Sequence, residues 1–211
     1  MKILSIAVGE NRSYLHQEKE FFSSFEKKEV SDSLQVDKNG FLKDFQSDKR
    51  FHGGEEKALM VFAQSSAEKF IEDFQKKFPI GIFGENLRVN GLDESNVCIG
   101  DRYKIGNVEV EVSQPRQPCW KVSFFLGIKE GTRYMYKSAL TGWYFRVLNS
   151  GEISPNDTVE KIYSGHKKFT IENVNNLMNK TLDDQKLLSE ILEYEPFSHQ
   201  YKNDLVKRKL K

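Results

Sequence analysis

Thiols are scarce in this chain. Its 211 residues include two cysteines, Cys98 and Cys119. Two thiols cannot supply the four ligands of an ordinary iron–sulfur cluster or of a four-cysteine zinc site. In a reducing compartment they are expected to remain free rather than form a structural disulfide. The four histidines (His16, His52, His166 and His199) are scattered, and neither HxxxH nor CxxC occurs, so ordinary zinc spacing is missing. GxGxxG and GxxxxGK[ST] are also missing, which removes sequence support for nicotinamide and P-loop nucleotide sites. No apolar run approaches the roughly 20 residues needed to cross a bilayer. The stretch 1–9 is too short for a signal-peptide core and lacks a small-residue cleavage site. It reads as a first β-strand, and the cytoplasm is the expected compartment. An excess of one charge is lacking too: 32 Lys and Arg face 31 Asp and Glu, for a net charge of +1. That balance argues against nucleic acid as a partner.

What is present fits a soluble globular protein, with 38% hydrophobic and 30% charged residues. A chain of this length buries roughly 70% of its unfolded surface, enough for a core without staples. One large domain, or one domain with a small appendage, is expected.

Three zones differ in texture. Residues 1–62 hold short apolar runs between polar, Gly-containing segments. A helix follows, with Ala67, Phe70, Ile71, Phe74 and Phe78 on one face, a Ser65/Glu68 capping box and Pro79 beyond its end. Residues 80–165 read as mostly β. Val108, Val110 and Val112 alternate with Glu109 and Glu111 as in a half-buried strand, and Gly106-Asn107 suits a two-residue hairpin turn. Residues 143–148 form another strand candidate. From about residue 167 the chain reads as three helices capped by Thr170, by Thr181 with Asp184, and by Ser198. Their inward faces are Ile171, Val174, Leu177 and Met178; Leu187, Leu188, Ile191 and Leu192; and Tyr201, Leu205, Val206 and Leu210. The basic end Lys207-Arg208-Lys209 reads as a solvated helix C-terminus.

The densest chemistry lies in Ser113-Gln114-Pro115-Arg116-Gln117-Pro118-Cys119-Trp120-Lys121, just after the alternating strand. Two prolines stiffen it by fixing φ. Cations at Arg116 and Lys121 favour thiolate at Cys119 if they lie near the sulfur, and a thiolate is a nucleophile or a soft metal ligand. Burial as a plain packing residue is the competing reading, and for Cys98, in an apolar strand-like context, it prevails. A second cluster, His52-Gly53-Gly54 with Lys57, can offer backbone N–H groups and side-chain donors to an anion. A third, Glu85-Asn86 after Gly84, places hydrogen-bonding groups at a strand start.

Together these segments resemble the MOSC domain family, named for the C-terminal domain of molybdenum-cofactor sulfurases. The resemblance rests on His52-Gly53-Gly54 with Lys57-Ala58, Phe83-Gly84-Glu85-Asn86-Leu87, Ile99-Gly100-Asp101-Arg102, Gln114 to Lys121, and Thr141 to Leu148. It extends over about residues 1–163 and is nearest to small bacterial members with a C-terminal three-helix domain. It implies a mainly β fold with flanking helices: a β-barrel-like core over 1–165 and a three-helix domain over 166–211. It also implies a molybdopterin-type molybdenum cofactor, with Cys119 as metal ligand and catalytic residue. His52, Gly53, Gly54, Lys57, Glu85, Asn86, Arg116, Gln117, Lys121 and Arg146 become the candidates for holding that cofactor. Where relatives read Gly-Leu/Phe-x-Gly-Asp, this chain has Gly40-Phe41-Leu42-Lys43-Asp44, so no role is carried onto that loop. The implied activity is reduction of N-hydroxylated substrates such as 6-N-hydroxylaminopurine to amines. Without iron–sulfur or nicotinamide motifs, the electrons would come from a separate donor protein. A cofactor-delivery module without turnover of its own is the alternative, and a scaffold with a packed Cys119 the third. A homodimer is compatible with the sequence, and a membrane partner is not expected.

Overall fold

The structure is a computed structural model and describes residues 1–47, 53–179 and 183–209, the side chain of Lys209 excepted. In chain order the elements are β1 (Lys2–Gly9), β2 (Arg12–His16), β3 (Lys19–Ser23), β4 (Lys27–Val30), β5 (Leu34–Asp37), β6 (Gly40–Phe41), β7 (Leu59–Ala63), α1 (Gln64–Phe74), β8 (Leu87–Asn90), β9 (Arg102–Ile105), β10 (Val108–Pro115), α2 (Trp120–Leu126), α3 (Gly131–Ser138), β11 (Trp143–Asn149), β12 (Gly151–Ile153), β13 (Val159–Tyr163), α4 (Ile171–Met178), α5 (Gln185–Glu193) and α6 (His199–Lys209). A 3-10 turn, Glu55–Lys57, precedes β7.

Eight strands form one sheet in the order β13-β9-β10-β11-β7-β8-β1-β4. Every pairing in it is antiparallel except β7 with β8, which α1 connects as a crossover. The mainly β fold with flanking helices expected from the sequence is present, but the sheet does not close into a barrel. Its ends approach each other instead. Lys2 bridges to Thr158, and the Val159 amide donates to the Met1 carbonyl at 3.0 Å, beside the start of β13.

Gly106 and Asn107 do turn β9 into β10, with Gly106 in the left-handed region at φ 58°. The alternation along β10 is corrected. Glu111 is buried, not solvent-facing, because the guanidinium groups of Arg102 and Arg146 hold its two oxygens at 2.7 and 2.8 Å. Helix α1 is shorter than its apolar period suggests. It starts at Gln64 directly from β7 with no side-chain cap, and Gln75 ends it in the left-handed conformation. Ser65 therefore lies inside the helix. Ile71 is exposed, whereas Phe78 packs on Phe70 and Phe83 from the following loop.

The C-terminal helices follow the sequence reading closely. Thr170 accepts from the Asn173 amide, Asp184 from the Leu187 amide and the Ser198 hydroxyl from the Tyr201 amide. Thr181 and Leu210 lie outside the described side chains. Leu192 is exposed, unlike Leu187 and Ile191 on the buried face. Ile171, Val174, Leu177, Ile191, Phe197, Tyr201 and Leu205 join the same apolar core as Ile3, Leu59, Tyr103 and Trp143 of the sheet. A second, aromatic core of Phe62, Phe70, Phe83, Val122 and Met135 lies between α1, α2 and α3. Among the described residues no helix is long and apolar enough to cross a membrane.

Candidate functional site

Strand β10 ends at Pro115, paired with Trp143 of β11, and the Arg116 amide still donates to the Gly142 carbonyl at 3.0 Å. The chain then leaves the sheet through Gln117 and Pro118 and re-enters regular structure at Cys119, the residue before α2. Helix α3 fixes this exit. Tyr136 donates its hydroxyl to the Pro118 carbonyl at 2.7 Å, and Thr132 donates to the Cys119 carbonyl at 2.9 Å. With the backbone held on that side, the half-buried Cys119 borders a cleft of about 350 Å³. Lys57, Gln117, Lys121, Trp120, Tyr136 and Tyr144 line it with Gln114, and α6 contributes Gln200, Asp204 and Arg208.

A narrow slot of about 70 Å³ adjoins it and shares Lys57, Lys121 and Tyr144 as common walls. Lys27, Asp44, Gly53, Asn86 and Arg116 also line it, with Ser23, Ser24, Gln46 and Ser47. The Lys27 ammonium pairs with Asp44 at 2.6 Å, and Asp44 also accepts from the Gly9 amide and from Asn86. Asn86 in turn accepts the Met60 amide at 3.0 Å. These contacts leave the floor of the slot rigid.

The nominated residues thus divide. Gly53, Lys57, Asn86, Arg116 and Lys121 meet at the slot; Lys57, Gln117, Cys119 and Lys121 meet at the cleft. Gly54 adjoins them, with its carbonyl accepting the Lys57 amide at 2.9 Å. His52 lies outside the described residues. Glu85 and Arg146 line neither cavity. Glu85 is fully buried, accepts from the Gly81 and Phe83 amides at 3.0 and 3.1 Å, and pairs with Arg88, so it closes the 81–84 turn. Arg146 joins Glu56, Glu111 and the Pro196 carbonyl, clamping the 3-10 turn and the C-terminal segment to the sheet. Arg116 flanks Cys119 in sequence but turns away from the cleft. Its guanidinium donates to the Phe83 carbonyl at 3.3 Å and lies over the Phe25 ring. The cations that border the cleft with Cys119 are Lys57, Lys121 and Arg208.

Burial lowers the pKa of the Lys57 ammonium, with Asp204 opposing that shift, and Lys57 donates to Gln200 at 2.8 Å. Burial pushes the Tyr144 phenol up, opposed by the Arg116 guanidinium, so its proton stays on at neutral pH.

Sequence reading missed Lys27, Asp44 and the α6 side chains. Lys27 and Asp44 lie 17 residues apart, and only the fold brings the two side chains together. The 200/204/208 set was legible as one polar helix face, since residues four apart are neighbours there. Arg208 is not simply a solvated helix end. It lies 5.3 Å above the Tyr136 ring and donates to the Tyr136 hydroxyl at 3.2 Å.

The donor set fits a thiol-ligated metal that arrives with its own organic ligand. Among the described residues no cluster of three or more His, Cys, Asp or Glu could hold an ion by itself. A single soft sulfur, three cations and the buried Gln117 amide nitrogen, which has no hydrogen-bond partner among the described residues, instead match an anionic, hydrogen-bonding cofactor.

Comparison with known proteins gives this arrangement its class. The MOSC domain model matches residues 48–160, and the chain belongs to that family, which is associated with molybdenum-cofactor binding. Within the family it is of the small bacterial type. It is 30% identical over 207 residues to the uncharacterized protein YflK of Bacillus subtilis (strain 168), covering 98% of this chain and 94% of that one. The crystal structure of YiiM from Geobacillus stearothermophilus superposes with a TM-score of 0.82 at 28% identity, over 98% of this chain and 97% of the other. A protein of Gibberella moniliformis (strain M3125 / FGSC 7600) named Reductase is 31% identical over 149 residues, 66% of this chain and 26% of its own length.

Proposed function

We propose that the protein is a molybdenum-cofactor-dependent reductase of N-hydroxylated small molecules, converting them to amines. The observation that carries this reading is the Cys119 sulfur bordering a cleft that holds three cations. The family's cofactor association and a relative named for reduction support it. Net reduction consumes two electrons and two protons, breaks the N–O bond and releases water. The cofactor, when bound, supplies the two-electron chemistry.

The chain's own residues do the rest. Cys119 offers a thiolate to the metal. Lys57 and Lys121, facing both cavities, attract the anionic part of the cofactor, and Arg116 keeps the inner wall of the slot positive. Gly53 allows close backbone approach, at φ 96°. Tyr144 holds a proton at its phenol oxygen on the wall between the cavities, where a departing hydroxyl needs one. Trp120 and Tyr136 offer ring faces to a planar substrate. Electrons come from a separate donor protein.

Metal and cofactor analysis of protein made in a molybdenum-replete host tests this. Stoichiometric molybdenum in wild type, lost in Cys119→Ala together with reduction of 6-N-hydroxylaminopurine, is the expected result. Wild type without molybdenum, or a Cys119→Ala protein that loads and turns over fully, would sink it. Cofactor binding and hand-over without any reduction, in the presence of a donor system, would instead identify a delivery module.

A further inference from the structure

Helix α6 sends three side chains, Gln200, Asp204 and Arg208, to the cleft that holds Cys119, from successive turns of one face. The outer two have partners: Gln200 accepts from Lys57 and Arg208 donates to Tyr136. Asp204, between them, is about two-thirds buried, and no described residue donates a hydrogen bond to it. Among the described residues the only cation within 4.0 Å is Lys207, at that limit on the exposed side, and the Lys57 ammonium attracts the carboxylate from farther off. Among the described residues Asp204 is also the sole carboxylate bordering the cleft. The carboxylate of the neighbouring slot, Asp44, is saturated by Lys27, the Gly9 amide and Asn86. A partly buried carboxylate that accepts no hydrogen bond from a described residue, beside the Trp120 and Tyr136 rings, suits a ligand that brings N–H donors in a plane.

We infer that Asp204 is the specificity-determining residue of the cleft: its carboxylate accepts the N–H edge of a planar nitrogen base, so α6 selects which N-hydroxylated compounds reach Cys119. This rests on the reductase reading for the reaction but makes its own claim about recognition. It also gives the C-terminal helices a role at the site.

The test is equilibrium binding to the full-length protein, followed by quenching of Trp120, the half-exposed tryptophan at the cleft; Trp143 is fully buried. The ligands are adenine, with two exocyclic N–H donors, and N6,N6-dimethyladenine, with none. Wild type is expected to bind adenine at least about tenfold more tightly than the dimethyl form, the worth of a hydrogen bond to a charged group. Asp204→Ala should erase that preference and Asp204→Asn should reduce it, with thermal melts of both variants showing that the fold is kept. Equal binding of the two bases by wild type, or an undiminished preference in Asp204→Ala, overturns the inference. If the preference follows Asp204 but the cofactor-loaded protein reduces no N-hydroxy compound, the reaction reading falls and the recognition site stands. If reduction proceeds and the preference ignores Asp204, only the recognition site falls.

Discussion

The two cysteines occupy opposite environments, and the difference shows what makes a thiol available. Cys98 is 7% exposed and sits beside a buried carboxylate. Asp101 accepts from the Cys98 amide at 2.9 Å, the Tyr103 hydroxyl at 3.0 Å, the Gly165 amide at 2.8 Å and the Lys161 ammonium at 2.7 Å. That hub ties the 98–101 turn to β9, β13 and the segment leading to α4. Burial raises the pKa of the Cys98 thiol and Asp101 adds to the rise. At Cys119 the backbone, not the side chain, makes the structural contacts, through Thr132 and Tyr136. One thiol is part of the packing; the other is displayed by it.

The sharpest way to break this contrast is to remove the hub. Asp101→Ala leaves the Lys161 charge and two amides without their acceptor. It should cost about 3–5 kcal/mol of unfolding free energy in denaturant melts. A loss below about 1 kcal/mol would show that the Cys98 region is not held by this carboxylate.

Alkylation compares the thiols directly. In native protein, iodoacetamide should modify Cys119 at least about 100-fold faster than Cys98, whose reaction waits for local opening. Peptide mass mapping over a time course reads the ratio. Similar rates would remove the distinction between the two sites.

Stability should rank the sites in the other direction. Cys98→Ala leaves a small cavity and is expected to cost about 1 kcal/mol. Cys119→Ala should change stability by less than about 0.5 kcal/mol, as substitutions away from packed contacts do. Thermal melts of the two variants without added cofactor decide this.

That Cys98 is packed and Cys119 more open was legible in the sequence, and why it was shows what sequence can carry. The prolines and cations around Cys119 and the apolar run around Cys98 are local properties, so neighbours in the chain report them. The helix caps at Thr170, Asp184 and Ser198 are local as well, and so is the Gly106-Asn107 turn. Arg116 misled because adjacency in sequence is not adjacency in space: once the strand has ended, its side chain and that of Cys119 serve different cavities. Glu85 and Arg146 misled for a related reason. Polar groups in a suggestive motif close turns and clamp segments as readily as they bind ligands, and only the partners reveal which. Lys27 with Asp44, and Lys57 with Gln200, are long-range pairs with no signature in either local string.

The finest discrimination is a slope against pH. The folded thiol of Cys98 has its pKa raised above the ordinary value of 9.0, whereas the unfolded chain ionises it near that value. Above pH 9.0 the unfolded state therefore releases a proton that the native state retains, and stability falls as pH rises toward the folded pKa. Well below pH 9.0 the thiol is protonated in both states and contributes no slope. Complete exclusion of the thiolate would give about 1.4 kcal/mol per pH unit, and nearby Lys161 and Lys167, which pull the other way, keep the effect below that. Cys98→Ala should accordingly lose stability less steeply than wild type as the pH rises above about 9. Parallel curves for wild type and Cys98→Ala would mean that the interior around Cys98 accommodates a thiolate, and the contrast between the two cysteines would reduce to exposure alone.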